Sequence, residues 1–188
     1  MNHPHRITAF LRILRSDDRV YSLIAYALGL LIPGRRTGSG PVAWLRGFPM
    51  PRVHARNSGS VELGHVALYP GAKLLCGHSG VLRIGDRSFV NRNSRLFSSQ
   101  STIDIGRHCM ISWNVIITDW CGFAVAREET RTAAVSIADH CWIGARAIIL
   151  GGTQLGKGCV IAAGSVVQGS YPDGSIITGP AAEVSPNE

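Results

Sequence analysis

"SIADHCWIGARAIILGGTQLGKGCVIAAGSVV", Ser136 to Val167, repeats itself every six residues. Aliphatic side chains fall at Ile137, Ile143, Ile149, Leu155, Ile161 and Val167. Four positions after the first five stand small residues: Cys141, Ala147, Thr153, Cys159 and Ser165. An amphipathic helix would repeat its apolar residues at three and four, so this period excludes it. Short strands joined by tight corners satisfy it, with the aliphatic residue inward and the small one where the chain bends.

The pattern extends toward the N-terminus. Ile84, Val90 and Leu96 form one set, with Ser88 and Ser94 at the small position, and Ile105, Ile111 and Ile117 form another, with Cys109 and Val115. Leu63, Tyr69 and Leu75 read as the first set, where Lys73 breaks the small-residue rule. Three hexads close one triangular coil, and coils stack at about 4.8 Å, the spacing of strands in a sheet. The expected fold is an all-β hexapeptide parallel β-helix, each coil burying its neighbour's face. Cys109, Cys141 and Cys159 then fill interior corners as small hydrophobes. Cys121 has the same phase in the last hexad before the interruption "IITDWCGFAVAREETRTAAVSI", Ile116 to Ile137.

A chain of 188 residues with 45% hydrophobic and 16% charged residues builds one domain with a real core. The net charge of +7 is concentrated in residues 1–56, which hold nine of the 19 basic residues and two of the 12 acidic ones. Residues 57–188 are balanced, which argues against a nucleic-acid-binding surface spread over the fold. The chain therefore divides into a basic, partly helical N-terminal segment, 1–56, and a β-helix, 57–188. Within the first, "VYSLIAYALGLLIP" (Val20 to Pro33) is shorter than the roughly 20 residues of a spanning helix. It reads as a helix packed on protein, or as one lying on an anionic membrane, a peripheral contact through residues 1–35 helped by Arg6, Arg12, Arg15 and Arg19. The five cysteines form no CxxC pair and no zinc pattern, which suits reduced thiols in the cytoplasm, at most at the inner face of its membrane. "GGTQLGKG" (Gly151 to Gly158) matches the glycine and lysine spacing of a phosphate-binding loop. Gly158 stands where Ser or Thr must hold magnesium, and the hexads already account for the glycines.

The Ser136–Val167 stretch resembles the signature of hexapeptide-repeat acyltransferases, such as galactoside and maltose O-acetyltransferases and the exopolysaccharide and lipopolysaccharide acetyltransferases. "ITGPAAEV" resembles their closing segment, and the resemblance runs from about residue 60 to 184. It implies a left-handed coil, a homotrimer, and acetyl-CoA as cosubstrate in the groove between two β-helices, with no metal. Carried over, Trp142, Gly144, Ala145, Arg146, Lys157, Ala163 and Gln168 are the cofactor-binding positions. Ala145 and Ala163 leave room for the pantetheine arm, while Lys157 and Arg146 are charge partners for phosphates or, equally, solvated surface charges. Gln168 departs from the usual threonine, and Ala182 from the usual basic residue. Asn91 and Asn93 match the asparagine that relatives use on the acceptor sugar, although asparagines also stabilise β-solenoids.

Relatives place a general-base histidine just after the third hexad, and here that position falls at Gly122 or Phe123. Asp119 and His140 are the candidate catalytic replacements, with His108 in the same phase as His140 one coil earlier. Cys121 is a weaker candidate nucleophile, having no evident activating base. An exposed turn histidine is the competing reading of His140. Among His54, His65, His78, His108 and His140 there is no closely spaced pair of the kind a gamma-type carbonic anhydrase needs for zinc. Three functions remain open: O-acetyl transfer from acetyl-CoA to a sugar, glycolipid or polysaccharide precursor, N-acetyl transfer to an amino sugar, and a catalytically silent trimer serving in binding or assembly.

Overall fold

The computed structural model describes residues 44–45, 51–124 and 129–179. The N-terminal helical stretch, the membrane contact through residues 1–35 and Ala182 lie outside the described residues. Among the described residues no helix is long and apolar enough to cross a membrane.

Three parallel sheets form the sides of a triangular solenoid. The first face stacks Trp44–Leu45, Ala67–Leu68, Phe89–Val90, Met110–Ile111, Trp142–Ile143, Val160–Ile161 and Ile176–Ile177. The second stacks Arg52–Ala55, Lys73–Cys76, Arg95–Ser98, Ile116–Thr118, Ile148–Ile149 and Val166–Val167. The third stacks Ser60–Leu63, Val81–Ile84, Thr102–Ile105, Val135–Ile137, Gln154–Leu155 and Ser170–Tyr171. This is the left-handed parallel β-helix that the repeat and the resemblance lead one to expect.

The hexads hold from Ile84 onward. Every aliphatic residue at the repeat position from Ile84 to Val167 is buried, and so is the small residue four places later, down to Ser165, except Cys121, which is half-buried. The small residues do more than fit. The thiols of Cys109, Cys141 and Cys159 donate to the carbonyls of Ala138, Gly156 and Pro172, each at 3.2 Å, and Ser88 Oγ does the same to Gly106 at 2.8 Å. Each polar atom at this corner thus satisfies a carbonyl of the coil above, which is why a thiol or hydroxyl recurs where sterics alone would accept alanine.

The first coil runs in a different phase from the one the sequence suggests. Leu68 and Leu74 point inward, while Tyr69 and Leu75 are half-buried on the outside. Leu63 pairs with Ile84 and Leu68 with Val90, so this edge is one residue short of a hexad, and Val66 takes the small position. Lys73 breaks no rule, since Ala72 is the buried residue at the bend. The solenoid also begins earlier than residue 57. Trp44–Leu45 pairs with Ala67–Leu68, and Arg52–Ala55 with Lys73–Cys76. Among the described residues that first rung has a neighbour on one side only. It can carry Arg52, His54 and Arg56 outward with Val53 and Ala55 half-buried, and so shows no hexad signal.

Candidate active site

The corner between the first and second faces changes character along the solenoid. In the upper coils the corner carries Gly144, which is buried, Ala145 and Ala162, which are half-buried, and Ala163, which is exposed, so that apart from Arg146 little side chain stands over the backbone there. Gly144 itself is fixed by coil stacking. A Cβ there would lie 2.6 Å from both Ala163 N and Ile161 O of the next coil. Arg146 is exposed at the same corner with φ 61°, its N–H donating to Trp113 O. Trp142 lies on the first face one strand before this corner, half-exposed, its Nε1 donating to Ser112 Oγ at 3.2 Å. Apolar side chains flank the corner on both faces: Met110, Trp142 and Ile176 on the first, Ile116 and Val166 on the second.

Below the bare stretch the same corner is furnished with polar side chains. Asn91 and Asn93 occupy the columns of Gly144 and Arg146, two coils beneath. Asn91 Oδ1 accepts from Arg92 N at 2.8 Å, and Asn93 takes the left-handed turn conformation with φ 59°.

The remaining cofactor candidates stand at other corners of the same subunit. Lys157 lies at the third-to-first corner, its backbone N–H donating to Asp173 Oδ1 at 2.7 Å. Gln168 lies at the second-to-third corner, where its Nε2 donates to Gly151 O at 3.0 Å and to Cys121 O at 3.3 Å. That amide ties down the root of the insertion, a role that sequence spacing of 47 residues conceals. The insertion is an antiparallel hairpin, Trp120–Ala124 against Glu129–Thr132, with a bulge between Trp120 and Gly122. Cys121 sits in that bulge, half-buried, and not at an interior corner.

The two catalytic candidates are also far apart. Asp119 is 0% exposed. Its Oδ2 accepts the backbone N–H groups of Ser99, Gln100 and Ser101 at 2.8, 2.9 and 3.0 Å. The carboxylate therefore caps the turn of the coil below, and its other oxygen is buried without a partner among the described residues. His140 is exposed at the third-to-first corner with φ 64°, stacked on His108 with ring centroids 4.8 Å apart and planes 3° from parallel. Four residues of extended chain, roughly 13 Å, separate it from Gly144 across the first face. Beside it, Arg107 holds the Asp139 carboxylate below the usual range, first through its backbone N–H and also through its guanidinium 3.2 Å away. Two of the buried cysteines, Cys76 and Cys141, are held as thiols, while Cys109 is lowered by its hydrogen bond with Cys141. Burial pushes Cys76 up to about 11, and Cys141 is raised by its hydrogen bond to Cys109 and then by burial. Among the described residues no three His, Cys, Asp or Glu side chains gather where they could hold a metal ion.

Residues 134–168, which contain the bare corner, match the family model described as the hexapeptide repeat of succinyl-transferase. Over 145 residues, 70% of this chain and 74% of its relative, the chain is 30% identical to a putative lipopolysaccharide biosynthesis O-acetyl transferase, WbbJ, of Escherichia coli. The chain belongs to the hexapeptide-repeat acetyltransferase family. Another relative, a probable acetyltransferase of Mycobacterium tuberculosis, is 30% identical over 122 residues, 58% of this chain. The chain spans only 38% of that relative's length. A solved structure of an AntD variant, an N-acyltransferase from Bacillus cereus, superposes with a TM-score of 0.58 at 20% identity over 70% of this chain and 72% of that one. This likeness places the acetyltransferase chain on the same fold.

Proposed function

We propose that this chain transfers an acetyl group from acetyl-CoA to a hydroxyl of a sugar, glycolipid or polysaccharide precursor. The bare corner at Gly144, Ala145, Ala162 and Ala163 carries the reading. A pantetheine arm needs a strip of backbone with little side chain over it, and the upper coils supply one. The E. coli relative named an O-acetyl transferase supports the reaction type. The apolar stripes on either side of the corner suit burial against copies of the chain, so the groove is completed in a homotrimer. Trp142, pinned by Ser112, forms a wall of that groove, and Arg146 faces the CoA phosphates.

The acceptor hydroxyl attacks the thioester carbonyl, a base takes its proton, and CoA leaves as the thiol. His140 is the base, since Asp119 is buried and its Oδ2 is saturated by three donors. Because His140 lies at the far edge of the first face from the bare corner, it serves the groove it shares with a neighbouring subunit. The same separation favours one second reading, transfer to an amino sugar, whose neutral amine needs less help from a base.

Thiol release from acetyl-CoA by the full chain, measured with sugar alcohols and with amino sugars, tests this. Release with hydroxyl acceptors that falls in His140→Ala supports O-acetyl transfer. Release with amines alone selects the second reading. No release with either leaves a silent trimer.

A further inference from the structure

Two columns of charge on this solenoid alternate in sign. On the third face Glu62 pairs with Arg83 and Arg83 with Asp104, and Arg83 Nε lies 3.0 Å from Glu62 Oε2. At the third-to-first corner Asp86 faces His65, Asp139 faces Arg107 and Asp173 faces Lys157, each acid accepting a backbone N–H from the coil below at 2.7 Å.

The second face does the opposite. Arg52 pairs with Lys73 and Lys73 with Arg95, so three cations stack at the strand spacing of about 4.8 Å. None of them makes an ion pair or a side-chain hydrogen bond with a described residue. The sequence has no carboxylate between Asp18 and Glu62, so the chain leading into the column brings no neutralising charge. Like charges directly opposite one another destabilise a sheet, and among the described residues no ion pair offsets that here. The column ends at Ile116, and beside it opens a pocket of about 600 Å³ lined by the three cations with Asn93, Asn114 and Ile116.

Three cations and two amides without a carboxylate match phosphate chemistry. The arginine forks bind phosphoryl oxygens in pairs, the lysine adds a point charge between them, and the amides suit ring hydroxyls. We propose that this pocket binds the phosphate or diphosphate of a phosphorylated sugar acceptor. This rests on the acetyl-transfer reading and adds what the acceptor carries. The pocket lies below the bare stretch of the corner and shares Asn93 with it, so an anchored phosphate leaves the sugar directed toward the thioester.

Titration of the full chain with inorganic pyrophosphate tests the pocket without turnover. Wild-type protein should bind it, more weakly as salt rises. Lys73→Gln with Arg95→Gln should weaken binding at least tenfold, while Arg83→Gln, from an alternating column, stays within twofold. The double variant should melt no lower than wild type, because removing like charges relieves repulsion, so lost binding is not lost fold. Undetectable pyrophosphate binding, or equal affinity in all three proteins, overturns the proposal. Acetyl transfer to a nucleoside-diphosphate sugar and to a lipid-diphosphate sugar then separates the sources. The genuine class is the one whose KM rises at least tenfold in the double variant, and no rise with either overturns the role in acceptor binding. Intact pyrophosphate binding without any acetyl transfer would remove the transferase reading and leave the pocket standing. Transfer without pyrophosphate binding would do the reverse.

Discussion

The upper and lower halves of the first-to-second corner share one backbone path and carry opposite side chains. Above Trp113 the corner carries the buried Gly144, then Ala145, Arg146, Ala162 and Ala163, and below it Asn91, Arg92 and Asn93. Coil stacking explains only part of this. Gly144 must lack a Cβ because the next coil presses on it, whereas Ala163 is exposed and a larger side chain there would meet solvent. The bareness of Ala163 therefore has no structural cause within one subunit, and it is the part of the difference that function explains. On the proposed reading, the same regular scaffold carries a strip poor in side chains for a thioester arm and a cationic, amide-rich pocket for its acceptor.

That division can be broken at several points. Asp119→Ala should have the largest effect on the fold, because it removes a buried carboxylate that accepts three backbone N–H groups. A loss of about 3–5 kcal/mol in denaturant unfolding is expected. Asp119→Asn keeps an acceptor oxygen, so it should cost less and leave kcat within about twofold. A hundredfold fall in kcat with the fold intact would instead make Asp119 the base. His140→Ala should lower kcat by about a hundredfold or more, roughly 3 kcal/mol, with thermal unfolding little changed. An unchanged kcat would mean that His140 is a turn residue, as its positive φ also allows.

Exchanging the halves gives smaller, unequal costs. Gly144→Asn forces a side chain against Ile161 O and Ala163 N and should lose about 1–3 kcal/mol. Asn91→Gly in the lower coil should lose about 1 kcal/mol or less. Equal losses in thermal unfolding would show that the two halves are structurally alike. The smallest effect concerns pH. Asp139 has a depressed pKa in the folded chain, so its contribution is complete above the ordinary carboxylate value near 3.9 and is lost as pH falls through the lower folded value. Asp139→Asn should flatten that part of the acid limb of stability and leave neutral pH nearly unchanged.

The solenoid was legible wherever the period stayed at six. From Ile84 to Val167 the aliphatic and small positions place most of the buried side chains, while Ser98, Ile103, Thr118, Asp119 and Val135 are buried where the chain leaves the period of six. Reading failed at the first coil because the five-residue step from Leu63 to Leu68 shifts the phase without leaving a gap in hydrophobicity. The site was harder, since its pairings run between coils. Asp119 contacts residues 18 to 20 positions earlier, and Gln168 reaches 47 positions back. The cation column joins Arg52, Lys73 and Arg95 at offsets of 21 and then 22 residues, a regularity visible only once coil lengths are known. The stack of His108 on His140 was foreseeable because both fall in one hexad phase, and the rings do meet face to face.

On the proposed reading the bare upper half of the corner takes acetyl-CoA and the lower half does not. Calorimetric titration of acetyl-CoA into the wild-type chain, Ala163→Trp and the Lys73→Gln, Arg95→Gln double variant measures it directly. Wild type and the double variant should bind with affinities within about threefold, under 1 kcal/mol, and Ala163→Trp should show no binding while its melting temperature is kept. Unchanged affinity in Ala163→Trp, or loss of binding in the double variant alone, would contradict the claim.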